Sequence, residues 1–145
     1  MALSGYSGTT LAKKLGIKEG FKIRLVNQPG YYFDLFTDLP GNIKMMKDKK
    51  SNKNLVHYFT KEIDDLTRDI LSLRKEIFPD GIIWISWPKK AAKIETNVTE
   101  DQIRNLALSN GLVDLKVCAV DEIWSGLKLV VPLQDRKDEK VITRI

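Results

Sequence analysis

Few residues in this chain have the type and spacing to do chemistry. Its one histidine, His57, lies in the apolar run Leu55-Val56-His57-Tyr58-Phe59, and its one cysteine, Cys118, lies between Val117 and Ala119. A general base needs an imidazole that meets the reacting proton, and a metal needs several converging ligands. With no second histidine, His57 reads as a core residue whose ring nitrogens find partners, and no metal site is expected. A thiol nucleophile needs an activating neighbour, which the sequence does not display, so Cys118 reads as a buried thiol. Gly5-Tyr6-Ser7-Gly8 places a serine near glycines, but without the Gly-x-Ser-x-Gly spacing or the preceding strand of a hydrolase elbow. Asp64, Asp65 and Asp69 fall on the solvent side of an expected helix and make no catalytic pair. No catalytic residue is assigned, and the chain reads as a binder rather than an enzyme.

Binding chemistry is better represented. Net charge is +5, and five lysines (Lys44, Lys47, Lys49, Lys50, Lys53) stand against Asp48 in one stretch. A nucleic-acid groove would interleave arginines and exposed aromatics with such lysines. This run has neither, so it is expected to be a solvated loop and nucleic acid is not the expected partner. Two other stretches combine indoles with charge: Ser86-Trp87-Pro88-Lys89-Lys90 and Asp121-Glu122-Ile123-Trp124-Ser125. Together they could wall a pocket, with a lysine for an anionic group.

The elements that must position these residues follow from periodicity. Leu11 and Leu15 share a face of a short helix that Gly16 ends. Residues 21–26 form an apolar, β-branched strand that stops at Asn27-Gln28-Pro29-Gly30. A brief helix over 31–36 and a short strand over 43–46 lead into the lysines. Residues 55–59 form a strand, with Thr60 as N-cap of a helix whose buried stripe is Ile63, Leu66, Ile70, Leu73 and Ile77. Pro79-Asp80-Gly81 is expected to stop that helix, and residues 82–86, apolar on both faces, to form a strand covered on both sides. Thr99-Glu100-Asp101-Gln102 is a capping box, Val98 and Ile103 a hydrophobic staple, and Gly111 the end of that helix. Residues 112–120 and 127–133 are strands joined too closely for a parallel crossover, hence an antiparallel pair.

The expected fold is α/β: three-layer and Rossmann-like, a mostly parallel sheet closed by a C-terminal antiparallel hairpin. Residues 1–20 are an N-terminal segment with a short helix, 21–133 the domain and 134–145 a charged tail. The 145 residues suit one core that buries about 68–70% of the unfolded surface without staples. A lone cysteine excludes an internal disulfide, and no apolar stretch approaches membrane-span length; the expectation is a cytoplasmic protein without membrane association.

The passage Phe78-Pro79-Asp80-Gly81-Ile82-Ile83-Trp84-Ile85-Ser86 resembles the late strand segment of Rossmann-like methyltransferases, whose sheet also closes with a hairpin. Ser4-Gly5-Tyr6-Ser7-Gly8-Thr9, Leu11-Ala12-Lys13-Lys14-Leu15-Gly16-Ile17, Trp87-Pro88-Lys89-Lys90 and residues 117–129 resemble hallmark stretches of a bacterial domain-of-unknown-function family of small proteins, which brings no known activity with it. The methyltransferase resemblance implies a glycine-rich turn after the first strand and an acid at the end of the second, for adenosylmethionine. Here the turn is Asn27-Gln28-Pro29-Gly30, in which Pro29 lacks an N–H, and the nearest acid is Asp48 among lysines. The helix and strand that would follow the second strand are missing. No cofactor is therefore expected, and S-adenosylmethionine belongs to the alternative of a diverged methyltransferase.

Ligands of open α/β sheets bind beyond the carboxyl ends of the parallel strands, where strand order reverses. That edge would gather Asn27, Gln28, Ser86, Trp87, Lys89, Lys90, Asp121, Glu122, Trp124 and Ser125, with Trp87 and Trp124 framing one concave surface and a lysine beside Asp121 or Glu122. Residues 4–8 could close over it. The leading expectation is a non-enzymatic module for a protein partner or a small anionic ligand; a methyltransferase and a nucleic-acid binder are the alternatives.

Overall fold

The structure, a computed structural model, describes residues 8–50 and 52–136. Its helices are α1 (Leu11–Leu15), α2 (Ile63–Glu76) and α3 (Glu100–Ser109), with short 3-10 turns at Tyr32–Leu35 and Lys90–Ala92. The strands are β1 (Lys22–Val26), β2 (Lys44–Met45), β3 (Lys53–Phe59), β4 (Ile77–Pro88), β5 (Val113–Ala119) and β6 (Trp124–Val130). They form one six-stranded sheet in the order β2-β1-β3-β4-β6-β5. The first four run parallel, and β6 lies antiparallel to both β4 and β5. This is the mostly parallel α/β sheet with an antiparallel C-terminal pair that the sequence predicts.

Each face of the sheet is covered. On one, Leu66, Ile70 and Leu73 of α2 and Ile103 and Ala107 of α3 pack on Val56, Tyr58, Ile83, Ile85, Leu127 and Leu129. Each fully buried aliphatic side chain of that stripe contributes roughly 1.5–3 kcal/mol. α3 begins with the expected capping box, Thr99 with Gln102. On the other face, α1 and the loops around it cover Ile23, Leu55 and Trp84, and the Trp84 indole N–H donates to the Leu15 carbonyl at 2.8 Å. A third cluster of Tyr32, Phe59, Val120 and Trp124 closes the carboxyl end of that face.

Several sequence expectations change. The helix expected to be capped by Thr60 starts after Glu62; the Thr60 hydroxyl instead accepts from the Glu62 amide at 3.1 Å, shaping the turn before α2. Pro79-Asp80-Gly81 does not terminate a helix but lies within β4. Lys53 pairs with Ile77 while Leu55 already pairs with Ile82, so the extra residues of β4 bulge out of register. Gly81 makes that bulge possible, because a Cβ there would lie 2.8 Å from Ile77 Cβ and 3.1 Å from the Lys53 carbonyl. A turn signal is thus absorbed by a neighbouring strand that pairs on both sides of it.

The lysine stretch is not wholly a solvated loop either. Lys53 is 1% exposed and opens β3. Its ammonium lies 3.5 Å from Glu76 and 3.3 Å from Asp48, and Arg24 grips Glu76 with two bonds of 2.6 and 2.7 Å. Two cations and a carboxylate, buried together, tie β1, β3 and the end of α2. Asp69, expected to face solvent, accepts the Tyr58 hydroxyl at 2.6 Å; the acceptor draws the tyrosine to the helix flank.

Candidate functional site

Strand order reverses between β1 and β3, which leave their shared junction to opposite sides of the sheet. At their carboxyl ends lies an open groove of about 520 Å³. Asn27, Pro29 and Tyr31 form one side, Thr60 to Glu62 with Asp65 another, and Phe59, Ile94, Ile123 and Trp124 the apolar wall. Asn27 adopts a left-handed φ of 57°, turning the chain sharply off β1, and its side-chain amide donates to the Phe59 carbonyl at 3.4 Å. The Asp121 carboxylate closes the turn between β5 and β6 by accepting from the amides of Ile123 and Trp124 at 2.8 and 2.7 Å. Its other oxygen accepts the Tyr31 hydroxyl at 2.7 Å. Desolvation first, then this carboxylate, pushes the Tyr31 pKa up to about 12.

Beneath the groove the polar chemistry is internal. The Tyr32 hydroxyl is 3.0 Å from His57 Nδ1, and His57 Nε2 is 2.8 Å from the Ser86 hydroxyl. Either hydroxyl can donate or accept, so both nitrogens of a neutral ring are satisfied. His57 is fully buried and stacks on Phe59 with ring centroids 4.2 Å apart; burial lowers its pKa to about 3. Burial likewise raises the pKa of the Tyr32 phenol and the Cys118 thiol. His57 is therefore a satisfied core histidine, a neutral ring at neutral pH.

The expected site residues divide. Asn27 and Trp124 line the groove, and Asp121 joins its rim through Tyr31. Ser86, expected as an open donor, is fully buried against His57, because its position in β4 faces inward. Trp87 and Trp124 share one end of the sheet but not one surface. Trp87 packs with the α2 and α3 cluster, and Trp124 with Tyr32 and Phe59 on the opposite face. Strand alternation causes this, since Trp124 pairs with Pro88 rather than with Trp87. Neither Lys89 nor Lys90 forms an ion pair with Asp121 or Glu122 among the described residues; the Lys89 amide donates to the Ile123 carbonyl at 2.8 Å. Gln28, Lys89, Lys90, Glu122 and Ser125 do not line the groove. Tyr31, Lys61, Glu62, Asp65 and Ile94 do, and sequence reasoning passed over them. Only the aromatic repeat Tyr31-Tyr32 signalled any of these in the sequence. Residues 4–7 of the suggested lid lie outside the described residues.

Sheet order, the closing antiparallel pair and a groove at the switch point define a methyltransferase-like Rossmann fold. The structure is similar to a SAM dependent methyltransferase from Aquifex aeolicus (14% identity, TM-score 0.59, 83% of this chain and 88% of that one). It is also similar to magnesium protoporphyrin IX methyltransferase (ChlM) from Synechocystis PCC 6803 with bound SAM (12%, 0.56, 84% and 74%). A third similar structure is the fibrillarin pre-rRNA processing protein of Methanococcus jannaschii (9%, 0.56, 83% and 73%). At these identities the likeness is one of fold. The chain itself belongs to the family described as "Protein of unknown function (DUF3052)", which matches residues 12–133. No curated protein matches it in sequence. Among the described residues, no helix is long and apolar enough to cross a membrane, and no cluster of three metal-ligating side chains occurs.

Proposed function

We propose that this chain is a non-enzymatic binding module built on a methyltransferase-like fold, with a degenerate cofactor site. The observation that carries the reading is Tyr32, which is 2% exposed and packs its ring on Phe36, His57 and Phe59 at the carboxyl ends of β1 and β3. The chain's own side chain fills the interior there. Two further features agree. Pro29 removes one N–H from the turn after β1. β2 pairs only as far as Ile23 with Met45, short of the end of β1, and Asp48 beyond it is held by the Lys50 amide and by Lys53. These residues do not fit adenosylmethionine.

What is left open is a shallow groove with aromatic walls. Its lining carries Lys61 against Glu62 and Asp65, and Asp121 stands at the rim. That balance favours a planar ligand or partner side chain that is neutral or cationic, in place of the anion expected from Lys89 and Lys90, which do not line the groove. Ligand-observed NMR tests this with aromatic amines, matched aromatic carboxylates and S-adenosylhomocysteine as probes. Saturation transfer to the amines, weakened by Glu62→Gln, is the expected result. Preference for the carboxylates overturns the charge assignment, and saturable binding of S-adenosylhomocysteine overturns the module and restores the methyltransferase reading.

A further inference from the structure

A second surface lies on β5, the strand beyond β6 in the sheet. Among the described residues β5 is the last strand of the sheet, and none of them pairs with the outer side of its backbone. Lys116 of β5 sits directly opposite Lys128 of β6, and Lys128 is opposite Trp84 of β4. Register partners point to the same face, so both lysines lie on the face that α1 covers at Trp84. Like charges directly opposed in a sheet cost stability, and neither lysine has an ion-pair partner among the described residues. Burial first, then the neighbouring cations Lys116, Lys18 and Arg136, lower the pKa of the Lys128 amine. Cys118, two residues along the same face, feels Lys14, Lys116 and Lys89.

The other face of β5 is apolar. Val117 pairs with Leu127, which belongs to the cluster under α2 and α3, yet Val117 is 47% exposed. Leu115 beside it is 58% exposed at a register shift, after which β5 pairs regularly from Lys116 onward.

We propose that the free edge of β5 is a strand-addition site for a partner segment alternating acidic and apolar residues. Successive side chains of an added strand point to opposite faces, so its carboxylates meet Lys116, with Lys128 one strand further in, while its apolar residues cover Val117. A nucleic-acid backbone would use the cations but neither the unpaired N–H and C=O groups nor Val117. A second copy pairing antiparallel through β5 would bring cationic face against cationic face.

The test is fluorescence anisotropy with a labelled peptide alternating glutamate and valine, beside a peptide of the same composition with its glutamates in one block. The alternating peptide is expected to bind, to weaken with salt, and to protect the amides of residues 116–119 from hydrogen exchange. Lys116→Glu is expected to weaken it about ten-fold, and Val117→Lys, at an exposed position, to weaken it as well. Circular dichroism of both variants reports an intact fold. The proposal is overturned by equal binding of the block peptide, binding untouched by Lys116→Glu, unprotected β5 amides, or displacement by a single-stranded oligonucleotide. A concentration-dependent dimer abolished by Lys116→Glu assigns the edge to a second copy instead, and equally overturns it.

Discussion

The Tyr32 hydroxyl stands 3.0 Å from His57 Nδ1, in the middle of β3. That contact fastens the turn after β1 to the core, and His57 passes the connection to Ser86 of β4. Three polar side chains are thereby removed from solvent at the edge where this fold places its ligands. Their arrangement links the turn after β1 to β3 and β4, and several consequences can be measured.

Tyr32→Phe leaves the ring packing intact and strands one nitrogen of a buried imidazole. Urea unfolding should show a loss of about 1–3 kcal/mol. Tyr31→Phe removes an exposed bond to Asp121 and should cost less than about 1 kcal/mol in the same measurement.

Stability should fall on mild acidification. The folded-state pKa of His57 is lowered from 6.5 to about 3, so the unfolded chain takes up this proton first. The contribution is complete above the unfolded value and is lost as pH drops from there toward the folded one. In that window the slope should be about 1.4 kcal/mol per pH unit. Unfolding free energies of wild type and His57→Gln, compared between neutral and acid pH, check this; the variant should lose the slope.

Arg24, Lys53 and Glu76 form one buried unit, so the order of damage is informative. Glu76→Leu leaves two buried cations facing each other and should cost about 3–5 kcal/mol. Arg24→Met leaves Glu76 with Lys53 at 3.5 Å and should cost less. The double variant should be more stable than Glu76→Leu alone, a result that a double-mutant cycle in denaturant would read directly.

Gly81→Ala should destabilise by about 1–3 kcal/mol, since its new methyl meets Ile77 Cβ at 2.8 Å and the Phe78 carbonyl at 3.0 Å. Gly30→Ala meets nothing within 4 Å and should stay within about 0.5 kcal/mol of wild type. Thermal unfolding of the pair separates a bulge constraint from a general glycine effect.

The apolar periodicity of the chain by itself determined its elements and their kind. The stripe from Leu66 to Leu73, the capping box at Thr99, the apolar strand around Trp84 and the short link between β5 and β6 each depend on residues close in sequence, and together they yield the mostly parallel sheet with its hairpin. Tertiary structure decided which side chains meet. The strand register put Trp87 and Trp124 on opposite faces, drew Ser86 to His57, and buried Lys53 beside Glu76. Local sequence carries the period of a strand but not its offset against a neighbour, and a one-residue offset sends every side chain to the other face. The edge that carries the groove was therefore legible, whereas its lining and its charge were set only when the strands paired.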